Sequence, residues 1–206
     1  MTLASARHWP VTLEHGEVQL RPLTRRDERA WNEVRSRNGR WTGPWDATRP
    51  PESQDPVRTF GGMVADFGRQ ARSGSMLPWA VCYRPTPGAE AVFAGQMTIS
   101  GITYGSARWA MAGYWVDQRW AGRGLAPTAL AMAGDHLFGT LRLHRLEVAI
   151  RPENAKSLRV VEKLGFRFEG SRPRYLHVDG DWRDHLMFAL HAEEIGPGGL
   201  IGRLAR

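Results

Sequence analysis

Residues 116–138 read VDQRWAGRGLAPTALAMAGDHLF, and the reading of this stretch decides the fold. It leaves an apolar run, turns through Gly122-Arg123-Gly124, and continues with Ala126, Leu130, Ala133 and Leu137 at spacings of four, three and four. That recurrence marks an amphipathic helix packed on a sheet. Pro127 falls in the helix's first turn, where its missing N–H costs little. A helix start exposes backbone N–H groups, and glycines before it let those groups face an anion without Cβ obstruction. Arg123 adds a movable positive charge beside them. Taken alone, Gly-x-Gly is equally a plain tight turn. It lacks the third glycine of a dinucleotide-binding turn, since Pro127 stands there, and the Gly-Lys-Ser/Thr ending of a triphosphate loop.

Around this segment the chain alternates short apolar runs with helical ones. ARWAMAGYWVD (107–117) before it and HRLEVAIR (144–151) after it read as strands, so the helix between them makes one parallel crossover. Further strands are expected at 16–24, 77–84 and 91–103, with a hairpin over 175–190 turning at Asp179-Gly180. Helices are expected at 25–38, at roughly 57–72 with Val57, Phe60, Val64 and Phe67 on one face, and at 152–166. Residues 43–58 hold four prolines and read as an irregular loop, and 196–206 as a flexible tail. The sum is an α+β fold: one domain over 1–195, built on a mixed, mostly antiparallel sheet of about seven strands flanked by helices.

The second informative stretch is RPENAKSLRVVEKLGF, 151–166. Pro152 and Asn154 signal a helix start and Gly165 its end. Leu158, Val161 and Leu164 form its buried stripe, and Asn154 and Ser157 share one face near the N-terminus. An N-cap asparagine and a neutral surface serine account for the same pair.

Together the two stretches resemble the GNAT (GCN5-related N-acetyltransferase) superfamily. The glycine turn is similar to its pyrophosphate loop, Q/R-x-x-G-x-G/A, in the register Ala121-Gly122-Arg123-Gly124-Leu125-Ala126, with Ala at the first position. The run N-x-x-S-x-x-V-x-E-K-L-G-F is present from Asn154 to Phe166. From about residue 17 to 195, LRPLTRRD, GYWVD, LHRLEVAIRPENAKS and DGDWRDHLMFAL are similar to the RimJ/RimL branch, which acetylates N-terminal amines of ribosomal proteins. The resemblance implies acetyl-CoA as donor and a splay between strands four and five that admits the pantetheine arm. Coenzyme contacts are then expected from Ala121, Gly122, Arg123, Gly124, Leu125, Ala126, Asn154 and Ser157. Backbone N–H groups near Trp115 and Val116 would polarise the thioester carbonyl.

For the acid–base work, Glu147 on the fifth strand points to the opposite face from Leu146 and Val148 and is the expected base. A salt bridge to Arg145 or Arg151 is the competing role for it. Ser157 is the expected proton donor to the thiolate, with Tyr114 and Tyr175 behind it. His144 reads as structural, His177 and His185 belong to no metal-ligand spacing, and no metal is expected. Cys82 reads as a buried apolar residue. Trp41 and Trp45 stand in or beside the proline-rich loop and, with Tyr114, are expected to line the acceptor site, although packing under the loop explains both indoles as well.

A formal charge of +7 is spread along the chain, and the densest group, Arg21, Arg25, Arg26 and Arg29, is interleaved with Asp27 and Glu28. There is no RNA motif of interleaved aromatic and basic residues, no apolar run of membrane-spanning length, and no apolar core of a secretion signal near the start. A cytoplasmic enzyme, monomer or homodimer, is therefore expected. Its acceptor would be a protein or peptide N-terminus, a ribosomal protein being the model case. A polyamine or aminoglycoside acceptor would want an acidic cleft, whereas the acceptor-side loops carry only Asp46, Glu52 and Asp55 among arginines. A ribosome-associated binder of the same fold without turnover is the remaining alternative.

Overall fold

The structure, a computed structural model, describes residues 9–54, 56, 59–86 and 88–204. Its strands are β1 (Leu13–His15), β2 (Val18–Pro22), β3 (Leu77–Tyr83), β4 (Val92–Thr103), β5 (Trp109–Val116), β6 (Arg145–Ile150), β7 (Arg167–Val178) and β8 (Asp181–His191). Its helices are α1 (Glu28–Arg37), α2 (Gly39–Thr42), α3 (Phe60–Arg72), α4 (Leu125–Gly139) and α5 (Ala155–Lys163). All the strands join one sheet in the order β1-β2-β3-β4-β5-β6-β8-β7, antiparallel except for β5 beside β6.

The sheet separates two apolar layers. β3 is buried along its whole length, and its side chains divide by parity as a pleat requires. Leu77, Trp79 and Val81 face a core that contains Leu130 and Leu137 of α4, Val161 of α5 and Leu146 of β6. Ala80 and Cys82 face the other layer, with Val34 of α1 and Phe60 of α3. Cys82 is thus the buried apolar residue expected, and burial pushes its thiol pKa up.

Three departures from the sequence reading have physical causes. The sheet has one strand more than the seven expected, because β1 is only three residues long and largely exposed, too short to show alternation. β7 begins at Arg167 rather than near 175: it is the edge strand, with ten of its residues less than buried, so no apolar period announces it. Pro173 is tolerated there, within a register shift between Arg172 and Leu176. The third departure is the segment from 196, which does not trail free as expected. Leu200 is fully buried, Asp135 of α4 accepts from its amide (2.6 Å) and from that of Ile201 (3.2 Å), and Leu200 packs where Gly134 leaves α4 without a side chain. The start of the expected 57–72 helix also differs: Val57 lies outside the described residues, and Thr59 caps α3 by accepting from Gly62 N.

One break in the sheet positions the site. β5 and β6 pair only at Trp109↔Arg145, Ala110↔Leu146 and Met111↔Glu147. Beyond that, β5 stays on β4 as far as Val116 and β6 stays on β8 as far as Ile150. The two parallel strands therefore part after Met111, and this is the expected splay.

Candidate active site

The chain leaves β5 through a 3-10 turn, Gln118–Trp120, and reaches α4 by way of Gly122 (φ 80°) and Gly124 (φ 79°). Both occupy the left-handed region open to glycine. Thr128 N donates to Gly124 O at 3.0 Å and closes the first helical turn. Ahead of it, the amides of Leu125 and Ala126 belong to the unpaired start of the helix, which no side chain caps. With Gly122 and Gly124 they form a set of N–H groups without a protein partner among the described residues, which is how backbone binds an anion. Read two residues earlier, Arg119-Trp120-Ala121-Gly122-Arg123-Gly124 meets the loop pattern without departure, and the two left-handed glycines favour this register over the one beginning at Ala121.

In front of this turn lies a cavity of about 410 Å³, lined by Ala121, Gly122, Gly124, Leu125 and Ala126 and, from α5, by Lys156, Arg159 and Lys163. Arg123 is not among its walls. Its guanidinium lies 5.5 Å from the Trp120 ring and reaches Tyr83 Oη at 3.5 Å. The positive charge expected from Arg123 is supplied instead by one face of α5, where positions 156, 159 and 163 align at helical spacing. Sequence reasoning missed these cations because it attended to the turn and not to the helix across from it.

The cavity continues into a second, of about 320 Å³, which shares Trp41, Val116, Ala126, Lys156 and Val160 with it. A third, of about 150 Å³, lies in the splay between Ala112–Tyr114 of β5 and Val148–Ile150 of β6. Trp45, Gly113, Tyr114, Asn154 and Ser157 line both the second and the third. A row of three adjoining cavities thus leads from the unpaired amides to the parted strands. Asn154 caps α5, its Oδ1 accepting from Ser157 N at 3.2 Å, so the pair sits on the channel wall.

Backbone direction in β5 follows from two bonds. Arg145 N donates to Arg108 O, and Trp41 Nε1 donates to Val116 O at 3.0 Å, both on the β6 side. With a two-residue period, the amides of Tyr114 and Val116 then point into the splay. The amide of Trp115 turns to β4, as that of Asp117 does in donating to Ala94 O at 2.7 Å. The expected pair of amides is therefore Tyr114 and Val116 rather than Trp115 and Val116, while the Trp115 side chain lines the second cavity.

The roof is assembled from distant segments. Trp41 lies on α2 and Trp45 in the 3-10 turn Gly43–Trp45, so the loop expected from 43 begins with helical turns. Asn38 is fully enclosed: it donates to Asp117 Oδ1 (2.9 Å) and accepts from Gln118 N (2.9 Å), which ties α2 to the end of β5. Trp41 sits between the first two cavities with Lys156 Nζ 4.2 Å from its ring centre. Trp45 lies over the third, with the Arg151 guanidinium 5.5 Å from its ring. Thr48 anchors the loop to the β7–β8 hairpin through His177 Nδ1 (2.8 Å) and Gly180 N (2.9 Å).

This geometry has counterparts among known proteins. The family model for the acetyltransferase (GNAT) domain matches residues 17–167. The chain belongs to the GNAT acetyltransferase family. The chain is 30% identical over 176 residues to the [ribosomal protein uS5]-alanine N-acetyltransferase of Escherichia coli, covering 84% of this chain and 87% of that one. It is similar to a solved structure of Mycobacterium smegmatis RimJ in complex with CoA-disulfide, with 38% identity, a TM-score of 0.85, and coverage of 96% of this chain and 94% of that one. Over a shorter span, 75 residues and 36% of this chain, it is 29% identical to the spermidine N(1)-acetyltransferase of Escherichia coli, covering 40% of that enzyme.

Within this GNAT site the titratable groups sort themselves by position. Glu147 lines none of the three cavities. It is buried, accepts from Arg145 Nε at 2.6 Å, and has Arg172 Nη2 at 4.0 Å, so the salt bridge is the role the geometry gives it. It lies at the last paired position before the strands part. Tyr114 Oη is buried with no hydrogen-bond partner in bonding geometry; burial drives its pKa above the tyrosine range, and the Ser157 hydroxyl offsets this only in part. Tyr175 lines none of these cavities and instead packs edge-on against His185 at 5.9 Å. His144 is stacked on His191 at the opposite end of β6, bonded to Glu193 at 3.0 Å, and is structural as expected. His185 is the residue the sequence reading passed over: it is buried and forms part of the wall of the third cavity.

Proposed function

We propose that the chain transfers the acetyl group of acetyl-CoA to the N-terminal α-amine of a protein, with ribosomal proteins as the acceptor class. The observation that carries this reading is the channel of adjoining cavities that leads from the unpaired amides among Gly122–Ala126 to the splay. The donor's diphosphate fits those amides and the cations of α5, and its extended arm fits the channel. Bound there, acetyl-CoA supplies an activated thioester carbonyl. The amides of Tyr114 and Val116 hold the carbonyl oxygen as charge develops on it. Ser157 and Tyr114, on the channel wall, supply hydroxyl protons for the departing sulfur, and Trp45 with the 43–48 loop encloses the acceptor end.

The acceptor class rests on charge. Among the described residues Asp46 is the one carboxylate in the walls of the second and third cavities, and Arg35 neutralises it through a two-pronged ion pair. A polyamine would find no free carboxylate for its remote ammonium groups, whereas a peptide presents a single one. The nearly full-length likeness to the uS5-alanine enzyme supports the same choice over the partial likeness to the spermidine enzyme. The test is free-thiol release from acetyl-CoA with a panel of N-terminal peptides of ribosomal proteins, spermidine and aminoglycosides, with products located by mass spectrometry. Acetylation of peptide α-amines is expected. Turnover with spermidine or an aminoglycoside alone would remove the acceptor assignment, and coenzyme binding without turnover on any amine would make the protein a binder.

A further inference from the structure

Acetylation of an amine requires a base, and the walls of the splay contain a basic side chain the reaction scheme has not yet used. His185 lies on β8, in register with Arg172 of the edge strand, and forms part of the third cavity together with Tyr114, Asn154 and Ser157. Its Nδ1 is 3.0 Å from Arg183 O. A carbonyl oxygen only accepts, so Nδ1 carries a proton and, in the neutral ring, Nε2 does not. Nε2 makes no hydrogen bond among the described residues. The ring is thus fixed in the tautomer whose free nitrogen is a base, in the wall of a polar cavity where hydroxyls and the parted strands converge.

We propose that His185 is the general base of the acyl transfer, a reading that rests on the acetyltransferase function above. Nε2 takes one proton from the acceptor's ammonium. The freed nitrogen forms its bond to the thioester carbon as the carbon–sulfur bond breaks, its second proton passes by way of Ser157 or Tyr114 to the sulfur, and His185 returns its own proton to solvent. The electrostatic surroundings suit the task. Burial lowers the imidazole's pKa and Arg151 lowers it further, while the Arg183 carbonyl, Glu153 and Asp184 pull it back up. Tyr175 of β7 packs edge-on against the ring, and Tyr114 of β5, whose phenol burial keeps protonated, lines the same cavity. The net shift is downward, so the ring is unprotonated and ready at neutral pH.

The decisive experiment compares kcat as a function of pH for wild type and His185→Gln on one acetylatable peptide, with acetyl-CoA binding measured by calorimetry on both. The wild type should lose activity as pH falls through a midpoint below 6.5. His185→Gln should lower kcat about 10²–10³-fold, flatten that acid limb, and leave acetyl-CoA binding unchanged. Because His185 is buried, a wild-type measurement stands beside the variant: histidine ring NMR should show His185 with the proton on Nδ1 and a pKa below 6.5. A His185→Gln enzyme that keeps its kcat and its acid limb overturns the proposal. So does a ring protonated on Nε2, or loss of the acid limb in Glu147→Gln instead. None of these outcomes bears on whether wild type acetylates peptides, which the wild-type turnover reports separately.

Discussion

The two ends of the channel are built by different means. At the coenzyme end the proposed contacts are four backbone amides, those of Gly122, Gly124, Leu125 and Ala126, and the chain that positions them is local: a strand end, two left-handed glycines and a helix start. At the acceptor end nothing is local. Trp45 comes from residue 45, Tyr114 from β5, Arg151 and Ser157 from either side of an α5 start, and His185 from β8. The roof segment that carries Trp41 and leads on to Trp45 is tied to the end of β5 by polar contacts centred on Asp117, whose carboxylate is fully buried. Arg37 Nη2 reaches it at 2.6 Å, Asn38 Nδ2 at 2.9 Å and Arg119 Nε at 3.0 Å. A site made of backbone tolerates side-chain change and fails by backbone strain, whereas an assembled site fails when its clasp is cut.

The largest expected effect follows from that clasp. Asp117→Ala leaves the Arg37 charge and the Asn38 amide without their buried partner, a change of roughly 3–5 kcal/mol for a broken buried pair. For a domain of this size that lowers Tm by roughly 6–20 °C, and it releases α2 and Trp41 from Val116. Differential scanning calorimetry reads the first, and Trp41 fluorescence on adding acetyl-CoA reads the second. A variant within 2 °C of wild type would mean that the roof does not depend on this clasp.

The same group gives a pH dependence with a definite sign. Burial alone would raise the Asp117 pKa, but the hydrogen bonds from Arg37, Asn38 and Arg119 outweigh it and hold the carboxyl at about 2, below the 3.8 of an unperturbed aspartate. A depressed folded-state pKa contributes stability that is complete above the unfolded value and lost as pH falls toward 2. Its size is on the order of 2 kcal/mol. The difference in Tm between wild type and Asp117→Asn should therefore be constant above pH 5 and narrow between pH 4 and 2. A gap that stays constant down to pH 2 contradicts the shifted carboxyl.

The contrast between the two ends also explains what could be read from sequence. The turn, Asn154, Ser157 and the strand–helix–strand around them are runs of neighbouring residues, so spacing alone exposes them, and the splay follows from the family they resemble. Strand parity points to Glu147, but parity says which face a residue takes and not where two strands part; the parting comes just after its row. His185 carried no local signal, since its relevance depends on β8 lying beside β6. Lys156, Arg159 and Lys163 were visible as a helical stripe, but only the packing of α5 across from the turn gives that stripe a purpose. The burial of Leu200 had one hint, a glycine inside a helix: Gly134 is the slot it fills.

At the coenzyme end the test is backbone strain. Gly124→Ala places a side chain on a residue at φ 79°, where an L residue is strained by about 1–2 kcal/mol. Because the added Cβ would meet only Thr128 Oγ1 at 4.0 Å, packing does not hold the turn, and the strain is relieved by rotating it and misaiming its amides. Acetyl-CoA affinity should fall about tenfold with Tm nearly unchanged, and peptide KM at saturating donor should not move. Unaltered affinity by calorimetry would place the diphosphate elsewhere.

The smallest effect is expected at the opposite end, and it decides whether the two ends are separable. Trp45 is more than a third exposed, lines the second and third cavities, and is held from one side by Arg151, which also donates to Pro44 O at 2.7 Å. Its removal leaves the loop's anchors at Thr48 and Asp46 in place, so the fold and the coenzyme channel should survive. What is lost is apolar wall for the acceptor's first side chain, worth about 1 kcal/mol for a half-buried aromatic contact. Trp45→Ala should therefore raise peptide KM about fivefold while acetyl-CoA KM and Tm stay at wild-type values. If acetyl-CoA KM rises with it, the indole belongs to the coenzyme end, and the boundary between the ends lies farther into the splay than Tyr114.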